Sequence, residues 1–415
     1  MEANAEERRQ ARAQQKAKAA ARKKWIWRIG LIVAGAAMLT GIILLIVSCS
    51  HKEPAPEIEV GEDTVLHFVA GGDLTITDQL ISVGEQGYDA IFQDVAPLIA
   101  DADLSTINLE GNLAGAPYGT NTGSAPISLA YSLQKTGMDM VQLANSFSNS
   151  RGPSGLNTTI DSAIAAGLEP VGVFKNSDQF EEKRGFSLFE IQGVRIAVVA
   201  FTKGLNGMSL LSGDEDNVNL LYKDYDSTYQ KVDTEGINAL LDDIDREMPD
   251  IVIALVHWGS EFNDNISSTQ KSIIKLLQGR GVDAIIGTHP HYVQKLELNE
   301  ETGQFLAYSL GSFVPSYPEE KKDSALNFSP VAGTEYSILL DLEITKFAAT
   351  GEARITGYSY TPLFSVSTEN SIRVVRLVDA MAAYENNHLD AVSKDIYDDM
   401  VYAQKRIEAR VKNGS

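Results

Sequence analysis

Ala284-Ile-Ile-Gly-Thr-His-Pro-His291 decides how the chain is read. Three apolar residues run into Gly287-Thr288 and then into His289 and His291, which flank a proline. Upstream, Thr269 to Gly281 spaces its apolar residues as an amphipathic helix does and closes on glycines. The expected order is helix, turn, short buried strand, and a loop carrying both imidazoles. Neutral imidazole is a common ligand of divalent transition metals, and a proline-stiffened loop can aim two of them at one point. His257 ends a second apolar run, Ile251 to Val256, in the same way. The chain has six histidines, so three at strand ends suggest a shared purpose. The alternative for each is a loop histidine bonded to backbone.

Working outward, the same pattern recurs. Thr64 to Ala70 reads as a strand followed by Gly71-Gly72-Asp73, and Ser105 to Glu110 as a strand ending in a carboxylate. Met138 to Ala144 is an apolar strand delivering Asn145, Val171 begins another, and Arg195 to Phe201 is a central strand ending at Thr202-Lys203. Gln304 to Leu310 is a further strand, and helices are predicted over 91–102, 156–167 and 236–247. Strand, polar residue, loop and helix in succession imply a mainly parallel or mixed α/β sheet with polar side chains along its carboxyl edge. Asp73, Glu110, Asn145, His257, His289 and His291 would all stand there. Beyond Thr334, two alternating runs, Tyr336 to Ile344 and Ala353 to Tyr360, predict a hairpin. From 372 to 415 the chain ends in a charged helical segment, expected to be a solvated closing helix.

Two carboxylates, an amide and three imidazoles suit Mn, Fe or Zn, singly or as a pair sharing a carboxylate. Two-metal sites of that kind serve in-line displacement at phosphorus. The alternative is that Asp73 caps a helix, Glu110 sits in a polar loop, and the imidazoles bond to backbone. Gly71-Gly72-Asp73 lacks the Gly-Lys-Ser/Thr of a phosphate loop, and neither Ser309 nor Ser312 sits in a nucleophile elbow.

Charge divides the chain. Residues 1–28 hold nine Lys/Arg against three Glu, whereas the remainder carries a net charge of −27. So acidic a body argues against nucleic-acid binding. Ile29 to Val47 is free of charge and would span about 28 Å as a helix, enough to cross the hydrocarbon. With Trp25 and Trp27 at its start, residues 25–48 read as a transmembrane anchor after a basic cytoplasmic segment at 1–24. A Pro-containing linker, 49–62, then leads to an extracellular domain at 63–371. The alternative is a lipoprotein modified at Cys49, the single cysteine, which also excludes an intrachain disulfide.

Together the motifs resemble those of the bacterial capsule-synthesis CapA proteins, associated with poly-γ-glutamate. The matching stretches are Gly72-Asp73, Asn108-Leu-Glu110, Leu143-Ala-Asn145, His257-Trp-Gly-Ser-Glu261, Gly287-Thr-His-Pro-His291 and Tyr308-Ser-Leu-Gly-Ser-Phe-Val314. The resemblance implies a metallophosphatase-like four-layer sandwich of mixed β-sheets flanked by helices. It also implies a divalent metal held by Asp73, Glu110, His257, His289 and His291, with Glu110 bridging. Asn145, Trp258, Glu261 and Tyr308 would line the pocket around them. The implied partners are the membrane, an anionic polymer, and capsule-synthase membrane proteins. Where the family reads Asn-Asn-His and then Asp, this chain has Asn145-Ser146-Phe147 and then Ser150. Ser312 stands where Asn is usual, and Thr75 where phosphatases proper have a His. Phe147 can neither donate a hydrogen bond nor carry a proton, so turnover is expected to be weak.

Overall fold

In the computed structural model, β1 (Thr64–Thr75) continues through Gly71-Gly72-Asp73 instead of stopping at Ala70. Asp73 therefore lies inside a strand. The reason is a change of neighbour, described below. The structure describes residues 61–84, 87–263, 265–315, 334–368, 370–386 and 392–412. The expected cytoplasmic segment, the anchor at 25–48 and Cys49 lie outside them. Among the described residues no helix is long and apolar enough to cross a membrane.

The chain first lays down β1, β2 (Leu104–Glu110), β3 (Met140–Gln142) and β4 (Glu169–Val171), all parallel to one another. Next come β5 (Ser187–Ile191), β6 (Val194–Thr202), β7 (Ile251–His257), β8 (Ala284–Thr288), β9 (Leu296–Asn299) and β10 (Gln304–Ala307), which form a separate sheet in the order β5-β6-β7-β8-β10-β9. The chain then returns to the first sheet with β11 (Ser312–Val314), β12 (Tyr336–Lys346), β13 (Ala353–Thr368) and β14 (Ser371–Arg376). The first sheet runs β14-β13-β12-β1-β2-β3-β4, with β11 alongside β1. Two mixed sheets thus replace the single one that local patterning suggests. The expected hairpin forms as β12 and β13, and it joins the first sheet because β12 pairs antiparallel with β1 from Thr64 to Ala70.

The helices that pack on this framework are α1 (Ser128–Thr136), α2 (Gly152–Ala165), α3 (Thr234–Glu247), α4 (Ser268–Gly279), α5 (Leu377–Glu385) and α6 (Lys394–Lys412). α4 starts on a capping box, in which Ser267 accepts from Gln270 N while the Gln270 side chain accepts from Ser267 N. The predicted helix over 91–102 is broken into two short turns, Asp89–Phe92 and Ala96–Ala100.

Strand periodicity decides which side chains face which layer. Ile196, Val198 and Ala200 of β6 and Ile251, Ile253 and Leu255 of β7 share a hydrophobic cluster with the first sheet and with Leu129, Leu133, Leu156 and Ile160 of α1 and α2. Their neighbours Ala197, Val199, Phe201, Val252, Ala254 and Val256 share a different cluster with Ile237, Leu241, Ile273 and Leu277 of α3 and α4. The second sheet is therefore apolar on both faces, which explains why its strands read as unbroken apolar runs. The charged C-terminal segment is more than a solvated closing helix. It begins with β14, and Met400, Ala403 and Ile407 bury a helical stripe in the shared cluster.

β1 changes partner after Ala70, from β12 to β11, with Asp73 opposite Ser312. The exchange brings Gly311 O within 2.9 Å of Asp73 N. A Cβ on Gly72 would lie 2.0 Å from that carbonyl oxygen, so only glycine fits. Gly287 is equally confined, since a Cβ there would meet Tyr308 O at 2.1 Å and Trp258 Nε1 at 2.5 Å. Gly72→Ala and Gly287→Ala should each lower stability in denaturant titration by about 1–3 kcal/mol. Gly61→Ala, where nothing lies within 4 Å, should leave it unchanged.

Candidate metal centre

The alternation that buries Ile251, Ile253 and Leu255 toward the first sheet places His257, the next residue of that parity, on the same side. Trp258, of opposite parity, is fully buried in the α3/α4 cluster and donates from Nε1 to Tyr308 O at 2.9 Å. Its ring stacks with that of Tyr308, centroids 6.5 Å apart. The ends of β6, β7 and β8 are in register, with Thr202 opposite His257 and His257 opposite Thr288. On the first sheet, Asp73 is opposite Asn108 and Thr75 opposite Glu110. Two sets of carboxyl ends thus meet.

Glu110 is the point of contact. Its Oε1 is 2.8 Å from His257 Nε2 and 4.0 Å from His289 Nδ1, and its Oε2 is 3.6 Å from His291 Nε2. His291 Nδ1 is 3.3 Å from Asp73 Oδ2. All five expected ligands are buried. Their ligand atoms form two compact triads, Glu110–His257–His289 and Asp73–Glu110–His291, with Glu110 in both.

The chemistry of these donors fits a cation. Thr202 Oγ1 lies within hydrogen-bond reach of Gly204 O and, at 3.1 Å, of His257 Nδ1; when it donates to the carbonyl it accepts from a protonated Nδ1. With the ring proton on Nδ1, the Nε2 lone pair points toward Glu110 and can bind a cation. Nε2 and the Glu110 oxygen, 2.8 Å apart in a buried site, share a proton in one tautomer and offer a donor pair for a cation in the other. Glu110, His257 and His289 would hold one divalent ion, and Asp73, Glu110 and His291 a second.

A chain of amides supports the carboxylates. Asn108 Nδ2 donates to Asp73 Oδ1 at 2.7 Å, and Asn145 Nδ2 donates to Asn108 Oδ1 at 3.1 Å and to Leu109 O at 2.7 Å. Asn145 Oδ1 accepts from Phe147 N, so this side chain braces the 145–152 loop against β2. His289 N donates to both Asp73 oxygens, at 3.2 and 3.0 Å. Burial alone would push the Asp73 carboxyl up, but the hydrogen bonds from His291 and Asn108 hold it below the usual carboxylate range. Burial works to lower His291 as well, yet the charge of Glu110 and the bond to Asp73 raise it to about 9.

Sequence patterning singled out the five ligands and Asn145 but gave no role to Thr202, Asn108 or Ser312. Ser312 Oγ lies 3.3 Å from His291 Nδ1. Thr202 was legible only as the end of a strand flanking β7. Glu261, partly exposed, joins His289 and His291 in a third compact group. The loops after Glu110 and Asn145 frame a cavity of about 380 Å³ lined by Thr120, Gly123, Phe147, Ser150, Arg151 and Asn206.

Two outcomes follow from this geometry. Thr202→Val removes the hydroxyl that holds His257 at Nδ1 and should weaken Mn²⁺ binding by about 10–100-fold in calorimetric titration. The metal-free His291 keeps its proton up to about pH 9, against an ordinary 6.5. Its contribution to metal-free stability is therefore full below about 6.5 and lost as pH rises through about 9. An incoming metal must expel that proton, so apparent Mn²⁺ affinity should climb between pH 6 and pH 9, with proton release measurable by buffer-dependent calorimetric heats.

Comparison with known proteins gives this cluster a family. The Bacillus anthracis capsule biosynthesis protein CapA is 25% identical over 304 residues, covering 69% of this chain and 69% of its own length. The PGA biosynthesis protein CapA of Bacillus subtilis (strain 168) is 25% identical over 273 residues, covering 63% of this chain and 67% of its own. Among solved structures, a Mycoplasma pneumoniae phosphatase aligns with a TM-score of 0.45 at 15% identity, covering 73% of this chain and 95% of that one. The calcineurin-like phosphoesterase YfkN from Bacillus subtilis aligns with a TM-score of 0.42 at 14% identity, covering 83% and 100%. The family described as bacterial capsule synthesis protein PGA_cap matches residues 67–317, which include all five expected ligands, and the chain belongs to that family.

Proposed function

We propose that this is a membrane-tethered CapA-like protein whose body lies outside the cell. There it supports synthesis or export of an anionic capsule polymer, poly-γ-glutamate or a related one, with divalent metal held in the cluster. The observation that carries this reading is Glu110 shared between two buried donor triads, within a chain of capsule-synthesis kinship. The basic segment before the charge-free run of 29–47 supports a cytoplasmic N-terminus. Membrane proteins of the capsule synthase are the partners such a tether would serve.

When bound, divalent ions supply positive charge to anionic oxygens. The chain's own residues supply the rest. Asp73 and Glu110 supply the carboxylates, Asn108, braced by Asn145, keeps Asp73 aimed, and Thr202 supports the His257 ring at Nδ1. Arg151 brings a cation to the neighbouring cavity, its Nη1 donating to Pro117 O at 3.3 Å. That local charge lessens, at this one cavity, the repulsion an acidic body exerts on a polyanion. Phe147 lines the same cavity and presents only carbon, so position 147 contributes no hydrogen-bond donor to any phosphoester hydrolysis there.

Deleting the gene should reduce the surface polymer on chemical analysis, and wild-type protein, but not Glu110→Ala, should restore it. Unchanged polymer in the deletion strain would overturn the proposal. Hydrolysis of an aryl phosphate with Mn²⁺ should be slow and should rise by about 10²–10³ in the double variant Ser146→Asn, Phe147→His. No gain would leave polymer binding as the role of the cleft.

A further inference from the structure

Glu261 has no place in either buried triad, yet its ligand atom lies within 4.8 Å of those of His289 and His291. Each of these imidazoles belongs to a different triad, so Glu261 reaches both halves of the cluster. It is also the one partly exposed member of the three groups; the other five are buried. Glu110 approaches from the first sheet, whereas Glu261 stands at the water-accessible side.

This position is built. The turn after β7 is anchored at three points around Glu261. Lys203 Nζ donates to Gly259 O at 2.9 Å, Phe262 N donates to Pro290 O at 3.0 Å, and Gln294 Nε2 donates to Asn263 O at 2.9 Å. The Phe262 ring stacks on His291, centroids 5.2 Å apart and planes 26° from parallel. Gly259 and Phe262 both adopt positive φ, +76° and +52°, which bends the turn back over the 289–291 loop. Glu261 is thus pinned to the loop that carries the two histidines.

We propose, on the metal-holding reading above, that Glu261 is a further carboxylate ligand of the cluster, closing it on its open side. Its charge matters as much as its oxygen. Two divalent ions against Asp73 and Glu110 leave two positive charges uncancelled, and Glu261 leaves one. The carboxylate stands where an anion from solvent would approach, so it competes with phosphate and favours a ligand able to displace it, such as a multivalent polycarboxylate.

The test uses the purified full chain, with Mn²⁺, Co²⁺ and inorganic phosphate as probes. Glu261→Gln should weaken Mn²⁺ binding by about tenfold or more, an effect at least as large as losing a residue that only orients a ligand. It should also alter the visible spectrum of the Co²⁺-loaded protein and tighten inorganic phosphate binding to the loaded site. The metal-free variant should lose only the attraction of Glu261 for protonated His291, so its unfolding midpoint should fall slightly and still report a folded protein. Should Glu261→Gln misfold, Glu261→Asp, which keeps the charge on a shorter stem, should still change the Co²⁺ spectrum. An unchanged Mn²⁺ affinity and Co²⁺ spectrum would overturn this assignment while leaving the two-triad cluster intact. If wild type bound no metal, or Glu110→Ala bound it equally well, the cluster reading would fall and this assignment with it.

Discussion

The carboxylate of Glu110 facing His257 at 2.8 Å is the contact on which the arrangement depends. It joins the end of a strand in one sheet to the end of a strand in the other, 147 positions away in sequence. Neither partner is accessible to water, so each needs the other or a cation to compensate its desolvation. Everything around the pair keeps it in place: Thr202 behind the imidazole, Thr75 and Asn108 beside the carboxylate, and the apolar seam between the sheets beneath. A site assembled from two sheets can hold ligands from either side of a shared cleft. A single sheet edge would offer them in one row.

The apolar seam and the polar cleft are parts of one pattern. β7 alternates Ile251, Ile253 and Leu255 toward the first sheet, and His257 continues that row as it leaves the core. β2 does the equivalent, with Asn108 and Glu110 two residues apart on one face, bonded respectively to Asp73 and His257. The same side-chain parity that packs the interior therefore delivers the ligands, and a one-residue slip of either strand would turn them away.

Much of the site was legible because its ligands end apolar runs, and a run that ends in histidine or glutamate carries a strong local signal. His257, His289, His291 and Glu110 were found that way. What local patterning cannot carry is pairing. Nothing near Gly71-Gly72 announces that Gly311 will pack against it, so the strand reads as ending at Ala70, with Asp73 just beyond it on the carboxyl edge. The division into two sheets is invisible for the same reason, since β5–β10 resemble β1–β4 in composition and differ only in whom they meet. Thr202 matters through its contact with His257, and Asn108 through its bonds to Asp73 and Asn145; no spacing rule encodes such distant partners. The C-terminal helix misled because its charges are as many as its apolar residues, nine of each, while Met400, Ala403 and Ile407 sit one or two turns apart on a single buried stripe.

His289 and His291 both occupy the left-handed backbone region, at φ +93° and +59°. Side chains with a Cβ avoid that region, and holding one there costs on the order of 1–3 kcal/mol. Glycine at either position would relieve the backbone but delete an imidazole. Thermodynamic stability and ligand placement therefore pull these two positions in opposite directions. Two histidines kept where glycine would be easier mark a loop shaped for the ions it would receive, with the cost carried by the packed strands on either side.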